Sequence, residues 1–267
     1  MFKQYFGFEK TPFARNIPES ALFSTNQLEE LCSRLDYTAR NCLFAVITGD
    51  VGTGKTTAIR RFTAMLQPDK YTVLYISDSA LTPRNFYYEV LNQLGIKPHF
   101  YRGDAKRQLM RELLNVRELG KKQPVIIVDE AHLLTREMLE EVRFLLNYKM
   151  DSENPMSLIL VGQLEQRDVL KKQIYEAIRQ RIDLRYSLAP LDRTATAGYI
   201  KSHLEYAGET RDIFTDAAID TIFSYSKGAA RRINKLCTTC LIHAAQAGKR
   251  IIDDHMISLI IDEEFSW

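Results

Sequence analysis

Gly49-Asp50-Val51-Gly52-Thr53-Gly54-Lys55-Thr56 follows an apolar run, Leu43-Phe44-Ala45-Val46-Ile47, and precedes a stretch with helical patterning. An apolar strand, a glycine-rich loop and a helix, in that order, let the backbone curl so that successive N–H groups point at phosphate oxygens. The helix N-terminus adds its dipole to the attraction. Gly49, Val51, Gly52, Thr53 and Gly54 are therefore expected to line a triphosphate, with Thr57 in the turn that follows. Lys55 is expected to reach the β and γ phosphates, and Thr56 to place its hydroxyl on the Mg²⁺ that bridges them. ATP and Mg²⁺ are the implied cofactors.

A second apolar run, Val125-Ile126-Ile127-Val128, ends in Asp129-Glu130. Two carboxylates at the tip of a buried strand are costly unless they serve a cation or a reaction. Asp129 is expected to hold Mg²⁺ and Glu130 to polarise the attacking water. His132 completes an Asp-Glu-Ala-His string that also occurs in helicases, but those need two such domains, and 267 residues leave room for one.

Around these motifs, short apolar runs alternate with amphipathic stretches, which predicts an α/β fold: a parallel sheet of P-loop type with helices on both faces. Strands are expected over residues 44–48, 73–77, 125–128 and 158–161, with a weaker fifth around 182–186. Ser24 with Gln27 fits a capping box, and Thr82 before Pro83 places an N-cap ahead of a proline at the first helical position. After Leu188-Ala189-Pro190-Leu191 the strand signal ends and about four helices follow. One carries Ile219, Ile222 and Phe223 on a stripe, another Ile233, Leu236, Cys237 and Leu241. The expected division is a nucleotide-binding domain over 1–190 and a small all-α lid over 191–267.

Lys and Arg number 36 against 34 Asp and Glu, so the net charge of +2 supplies no global attraction to nucleic acid or anionic lipid. No apolar run approaches the roughly 18 residues a membrane helix needs, and the first residues do not read as a signal peptide. A cytoplasmic location without membrane insertion is expected. Cys32, Cys42, Cys237 and Cys240 lack zinc-ribbon spacing and read as core residues in a reducing compartment.

The residues resemble the AAA+ superfamily, and within it the ExeA-like branch that also contains ATPases accompanying transposases. The likeness covers nearly the whole chain. It rests on Phe6-Gly7-Phe8 with Pro12-Phe13, the loop 49–57, Asp129-Glu130-Ala131-His132, Leu145-Leu146-Asn147 and Leu160-Val161-Gly162-Gln163. The resemblance implies that Gln163 contacts the γ phosphate or the attacking water, and it places adenine contacts between residues 12 and 17. Ile178-Arg179-Gln180-Arg181-Ile182 is similar to the segment carrying the arginine finger, a cation supplied to the neighbouring subunit's ATP; Arg181 is the first candidate and Arg179 the second. Gly228-Ala229-Ala230-Arg231-Arg232-Ile233-Asn234 resembles the family's lid motif, in which Arg231 would sense ATP. Ala230 stands where the family has proline. A finger acting in trans implies a homo-oligomer, either ring or helical filament.

Three tasks fit such a motor. The first expectation is assembly on duplex DNA and recruitment or activation of a transposase. Secretion-type relatives carry a membrane helix and a wall-binding domain after the ATPase, whereas this sequence stops at Trp267. A basic cluster, Arg84, Lys97, Arg102, Lys106 and Arg107, with Tyr87, Phe100 and Tyr101 nearby, offers a path for a phosphate backbone, with Arg84, Lys106 and Arg107 as the chosen contacts. The alternative is a secretion or envelope-assembly ATPase acting with membrane partners. The third, a non-hydrolysing switch or scaffold, is disfavoured by the intact Asp129-Glu130 pair.

Overall fold

Burial on both faces explains why the apolar runs become strands. In the computed structural model, which describes residues 2–78, 81–149 and 153–265, five strands form one sheet. They are β1 (Phe44–Gly49), β2 (Tyr71–Ile76), β3 (Gln123–Val128), β4 (Ser157–Gly162) and β5 (Leu184–Leu188), in the order β2-β3-β4-β1-β5 with parallel pairing throughout. The helices, in chain order, are α1 (Phe2–Phe6), α2 (Asn26–Arg40), α3 (Lys55–Met65), α4 (Pro83–Gln93), α5 (Arg102–Glu118), α6 (Arg136–Leu145), α7 (Leu164–Lys171), α8 (Glu176–Arg179), α9 (Arg193–Tyr206), α10 (Asp216–Ser226), α11 (Ala230–Gln246) and α12 (Asp254–Glu264). Trp267, where the expected lid ends, and Met1, where the expected nucleotide domain starts, lie outside the described residues.

These elements divide into two compact units. The sheet unit comprises the described residues of Gln27–Gly49 and Lys55–Leu188. Side chains alternate along its strands. Phe44, Val46, Ile126, Val128, Leu158 and Leu160 face a core shared with Phe86, Val90, Leu109, Leu113 and Val142 of α4, α5 and α6. Ala45, Ile47, Val125, Ile127, Ile159 and Val161 face the opposite core, shared with Leu31 and Leu35 of α2 and Ile59 and Phe62 of α3. A fully buried side chain such as Phe62 contributes roughly 2–3 kcal/mol of transfer energy. The Thr82 side chain accepts from Asn85 N with Pro83 at the helix start, as the cap signature predicts. The strand expected near 182 begins at Leu184, because the edge strand β5 alternates between half-buried and exposed residues and has no continuous apolar run to mark it.

The helical unit gathers residues 2–26, 50–54 and 189–265. Its core joins Phe6, Phe8 and Phe13 to Ile200 and Leu204 of α9, Ile222 of α10, Ile233, Leu236 and Leu241 of α11 and Ile257 and Ile260 of α12. His203 is the hub of the N-terminal segment. Its Nδ1 accepts from Phe13 N at 3.1 Å, and its ring stacks on Phe13 at 5.0 Å and leans on Tyr199 at 4.3 Å. At Gly228 (φ +76°) an added Cβ would lie 1.8 Å from Leu191 O, so only glycine permits that approach. All four cysteines are buried free thiols, Cys32 and Cys42 in the sheet unit, Cys237 and Cys240 in the helical core. No helix among the described residues is long and apolar enough to cross a membrane.

Candidate nucleotide site

In a parallel sheet the strands all end on one edge, and Lys55, Asp129, Glu130 and Gln163 sit there. β1 delivers Gly49, whose carbonyl accepts from Lys55 Nζ at 2.8 Å, so the ammonium folds back over the strand end from the first turn of α3. Thr56, exposed beside it, donates its hydroxyl to Asp129 Oδ2 at 2.8 Å; Thr57 is half-buried in the same turn. Asp129 is only 4% exposed, and its other oxygen accepts from Glu130 N at 2.8 Å.

Glu130 adopts a left-handed backbone (φ 52°, ψ 33°) immediately after β3. That conformation costs about 1 kcal/mol in a non-glycine residue, and the carboxylate is half-exposed. Its Oε2 stands 3.5 Å from His132 Nδ1, and His132 Nε2 lies 2.9 Å from Gln163 Nε2 at the end of β4. Gln163 Nε2 and His132 Nε2 are within hydrogen-bond distance, whereas the buried His132 Nδ1 makes no hydrogen bond and has Glu130 only as a neighbour. Gln163, His132 and Glu130 thus form one line along the sheet edge. His132 entered the sequence reading only as part of a string, and only the pairing of β3 with β4 brings it to Gln163.

A further contact joins Asp129. The Tyr75 hydroxyl, from β2, donates to Asp129 Oδ2 at 2.7 Å. Burial, followed by the Asp129 hydrogen bond, holds the phenol well above its ordinary range, so it remains a proton donor.

The remainder of the loop belongs to the helical unit. Thr53 Oγ1 donates to Asp50 O at 2.9 Å, Val51 is exposed, and Gly52 and Gly54 take φ values of +82° and +98°. Arg231 N donates to Gly52 O at 3.2 Å, and a Cβ on Gly52 would meet Arg231 Cβ at 3.0 Å. One of the orphan N–H groups at the start of α11 therefore finds its acceptor on the loop. The helix begins at Ala230 with no side-chain cap. The Arg231 side chain is exposed.

Arg179 and Arg181 are not part of the cluster around Lys55. Asp183 N donates to Phe44 O and Asp183 Oδ2 accepts from Phe44 N, which places this segment at the start of β1. Lys55 lies beyond its other end, roughly 16 Å away along the strand. Arg181 Nη1 donates to Arg143 O and Arg179 Nη1 to Lys171 O.

The residues chosen for DNA lie on α4 and α5. Arg84 lies 5.0 Å from the rings of both Tyr88 and Phe100, Lys106 pairs with Glu141, and Arg107 pairs with Asp104. Burial pushes the Glu141 carboxyl up, but the hydrogen bonds it accepts, foremost from Lys106, outweigh that and leave its pKa lowered.

The donor set fits Mg²⁺. One carboxylate and one hydroxyl, both hard oxygen donors, meet at 2.8 Å, and no group of three or more His, Cys, Asp or Glu among the described residues forms a protein cage. A magnesium ion held by one or two protein oxygens, phosphates and water needs no more than this.

The parallel sheet and glycine-rich loop define a P-loop nucleotide-binding module, and residues 38–170 match the model of the AAA domain family. This stretch is similar to AAA domains. The chain is 31% identical over 264 residues, 97% of its length, to General secretion pathway protein A of Aeromonas hydrophila, and it spans about half (48%) of that protein. Among solved structures it resembles Cdc6p of Pyrobaculum aerophilum (TM-score 0.71, 16% identity, 90% of this chain and 67% of that one). It also resembles the ORC1 protein of Aeropyrum pernix in complex with DNA (TM-score 0.66, 16% identity, 92% and 68%). A third is the RuvB Holliday junction branch migration motor of Thermotoga maritima (TM-score 0.59, 18% identity, 90% and 69%). At such identities these likenesses establish the fold alone.

Proposed function

We propose that this chain is the ATP-hydrolysing part of a secretion or envelope-assembly machine of the General secretion pathway protein A kind. The observation that carries this reading is the relationship to that protein across 97% of the chain. It supports the secretion alternative over the transposition role that the residues first suggest. The pairing of Lys106 and Arg107 with carboxylates points the same way, since a phosphate backbone would have to displace Glu141 and Asp104.

In this reading the boundary near residue 190 separates the nucleotide domain from the lid, 191–267, although residues 2–26 pack in the helical core and not on the sheet. The loop 49–56 and Lys55 hold the phosphates of ATP, Thr56 and Asp129 hold Mg²⁺, and Arg231 contributes a cation from the lid. Bound Mg²⁺ neutralises charge on the phosphates. Glu130 orients the attacking water and takes its proton, with His132 and Gln163 beside it at the ends of β3 and β4. Arg181, at the other end of β1 from its own Lys55, serves a neighbouring subunit in a homo-oligomer on the cytoplasmic side of a membrane partner.

Two experiments test the task. Cells whose only copy carries Glu130→Gln should retain the protein yet fail to place secreted proteins outside the cell or to assemble the envelope; normal export and assembly would reject the reading. Duplex DNA titrated with ATP across a salt series should show no specific binding. Tight ATP-dependent binding that weakens steeply with salt would restore the transposition reading.

A further inference from the structure

β2 is an edge strand of the sheet, so one side of its backbone has no strand partner among the described residues. At Tyr75 a side chain takes that place. Tyr75 N donates to Gln93 Oε1 at 3.1 Å and Gln93 Nε2 donates to Tyr75 O at 2.8 Å, so the amide of α4's last residue completes the ladder at this one position. Gln93 Nε2 is itself held by Glu89 Oε1 at 2.7 Å, one turn back on α4. This bracket fixes the backbone of the residue whose hydroxyl reaches Asp129.

The consequence falls on the carboxylate. Asp129 Oδ2 accepts from both Tyr75 OH and Thr56 Oγ1, while Oδ1 accepts from Glu130 N. A carboxylate at a strand tip has two free side-chain torsions. Donors at 2.7 and 2.8 Å on one oxygen and 2.8 Å on the other leave it a single orientation. Thr56 spends only its O–H proton on Asp129 and keeps its lone pairs for a cation, so its own position follows the ion it is expected to bind. Tyr75 is a second side-chain anchor on the same oxygen, and one with no expected part in holding the ion. A phenylalanine would fill the same space, so the hydroxyl is not needed for packing.

We infer that Tyr75 is a positioning residue for the magnesium-holding carboxylate of Asp129, and that Gln93 sets Tyr75 in turn. This rests on the reading of Asp129 and Thr56 as the Mg²⁺ residues. It assigns α4 a part in metal affinity through Gln93.

The test is equilibrium binding of a fluorescent ADP analogue at increasing Mg²⁺, without turnover, for the full chain and for Tyr75→Phe, Gln93→Ala, the double variant and Asp129→Asn. Tyr75→Phe should raise the half-saturating Mg²⁺ about 10-fold, the lower range for residues that orient a metal ligand. Its affinity for the analogue in excess EDTA should stay within about twofold of the parent. Gln93→Ala should shift the Mg²⁺ midpoint in the same direction by less, and add nothing once Tyr75 is Phe. An unchanged midpoint in Tyr75→Phe, or an equal loss of affinity with and without Mg²⁺, would overturn the assignment, as would additive effects in the double variant. If Asp129→Asn leaves the Mg²⁺ response intact, the magnesium reading itself falls and takes this inference with it. A failure confined to the Tyr75 and Gln93 variants leaves that reading standing.

Discussion

Thr56 and Asp129, 73 residues apart in sequence, meet through a 2.8 Å hydrogen bond that closes the two motifs on each other. Thr56→Ala should therefore keep most of its nucleotide affinity in EDTA and lose the tightening that Mg²⁺ brings, whereas Thr56→Ser should restore it. Calorimetric titration with and without the cation separates the two. Equal behaviour of the alanine and parent proteins would remove Thr56 from the metal site.

The line from Gln163 through His132 to Glu130 makes a different prediction. His132→Ala should lower the maximal rate roughly 10- to 100-fold, part of the 10²–10⁴ that general-base chemistry supplies, with nucleotide affinity unchanged. Glu130→Gln should cost more and still bind ATP. Phosphate release under saturating ATP gives both numbers, and an undiminished rate in His132→Ala would show that Glu130 is oriented without it.

Arg181 stands at the opposite end of β1 from Lys55, so its loss should be repairable in trans. Arg181→Ala alone and Lys55→Ala alone should each be inactive, the former by about 10²-fold or more, while a mixture should regain part of the parent rate. Activity per subunit should also fall on dilution. No recovery in mixtures, with full activity in Arg181→Ala, would move the finger to Arg179 or Arg185.

His203 supplies a pH dependence of stability. Burial lowers its pKa from an ordinary 6.5 to about 4, so the folded chain resists a proton that the unfolded chain accepts. The stabilisation is complete above pH 6.5 and drains away as pH falls toward 4, at up to about 1.4 kcal/mol per pH unit for one site. Urea melts across that window should show a shallower slope for His203→Asn; identical slopes would mean that other groups carry the effect.

Gly228→Ala combines a positive φ with a carbonyl 1.8 Å from the new methyl group. A loss of roughly 2–4 kcal/mol is expected and should appear as a lower urea midpoint with an unchanged slope. A midpoint equal to the parent's would show that Leu191 moves aside at little cost.

Much of this molecule is legible in one dimension because its inner strands are buried on both faces. The runs at Val46, Ile127 and Leu160 announce themselves, and the loop around Lys55 carries its chemistry in its residue types. Edges are harder to read: β5 alternates with solvent, which is why it begins at Leu184 and not near Ile182. Tyr75 could not be found at all, since its role depends on β2 lying beside β3 and on Gln93 arriving from α4. Nor does any local pattern reveal that Phe6, Phe8 and Phe13 pack with α9 to α12, because that packing spans most of the chain.

The buried thiols provide an internal gauge of opening. Burial raises the pKa of all four, so an alkylating reagent meets little thiolate while the chain is closed. Labelling must wait for local unfolding. Peptides bearing Cys32 or Cys42 would time the opening of the sheet, and those bearing Cys237 or Cys240 that of the helices. The two halves of the molecule can thus be clocked separately in one tube, with and without nucleotide, using only cysteines the protein already has.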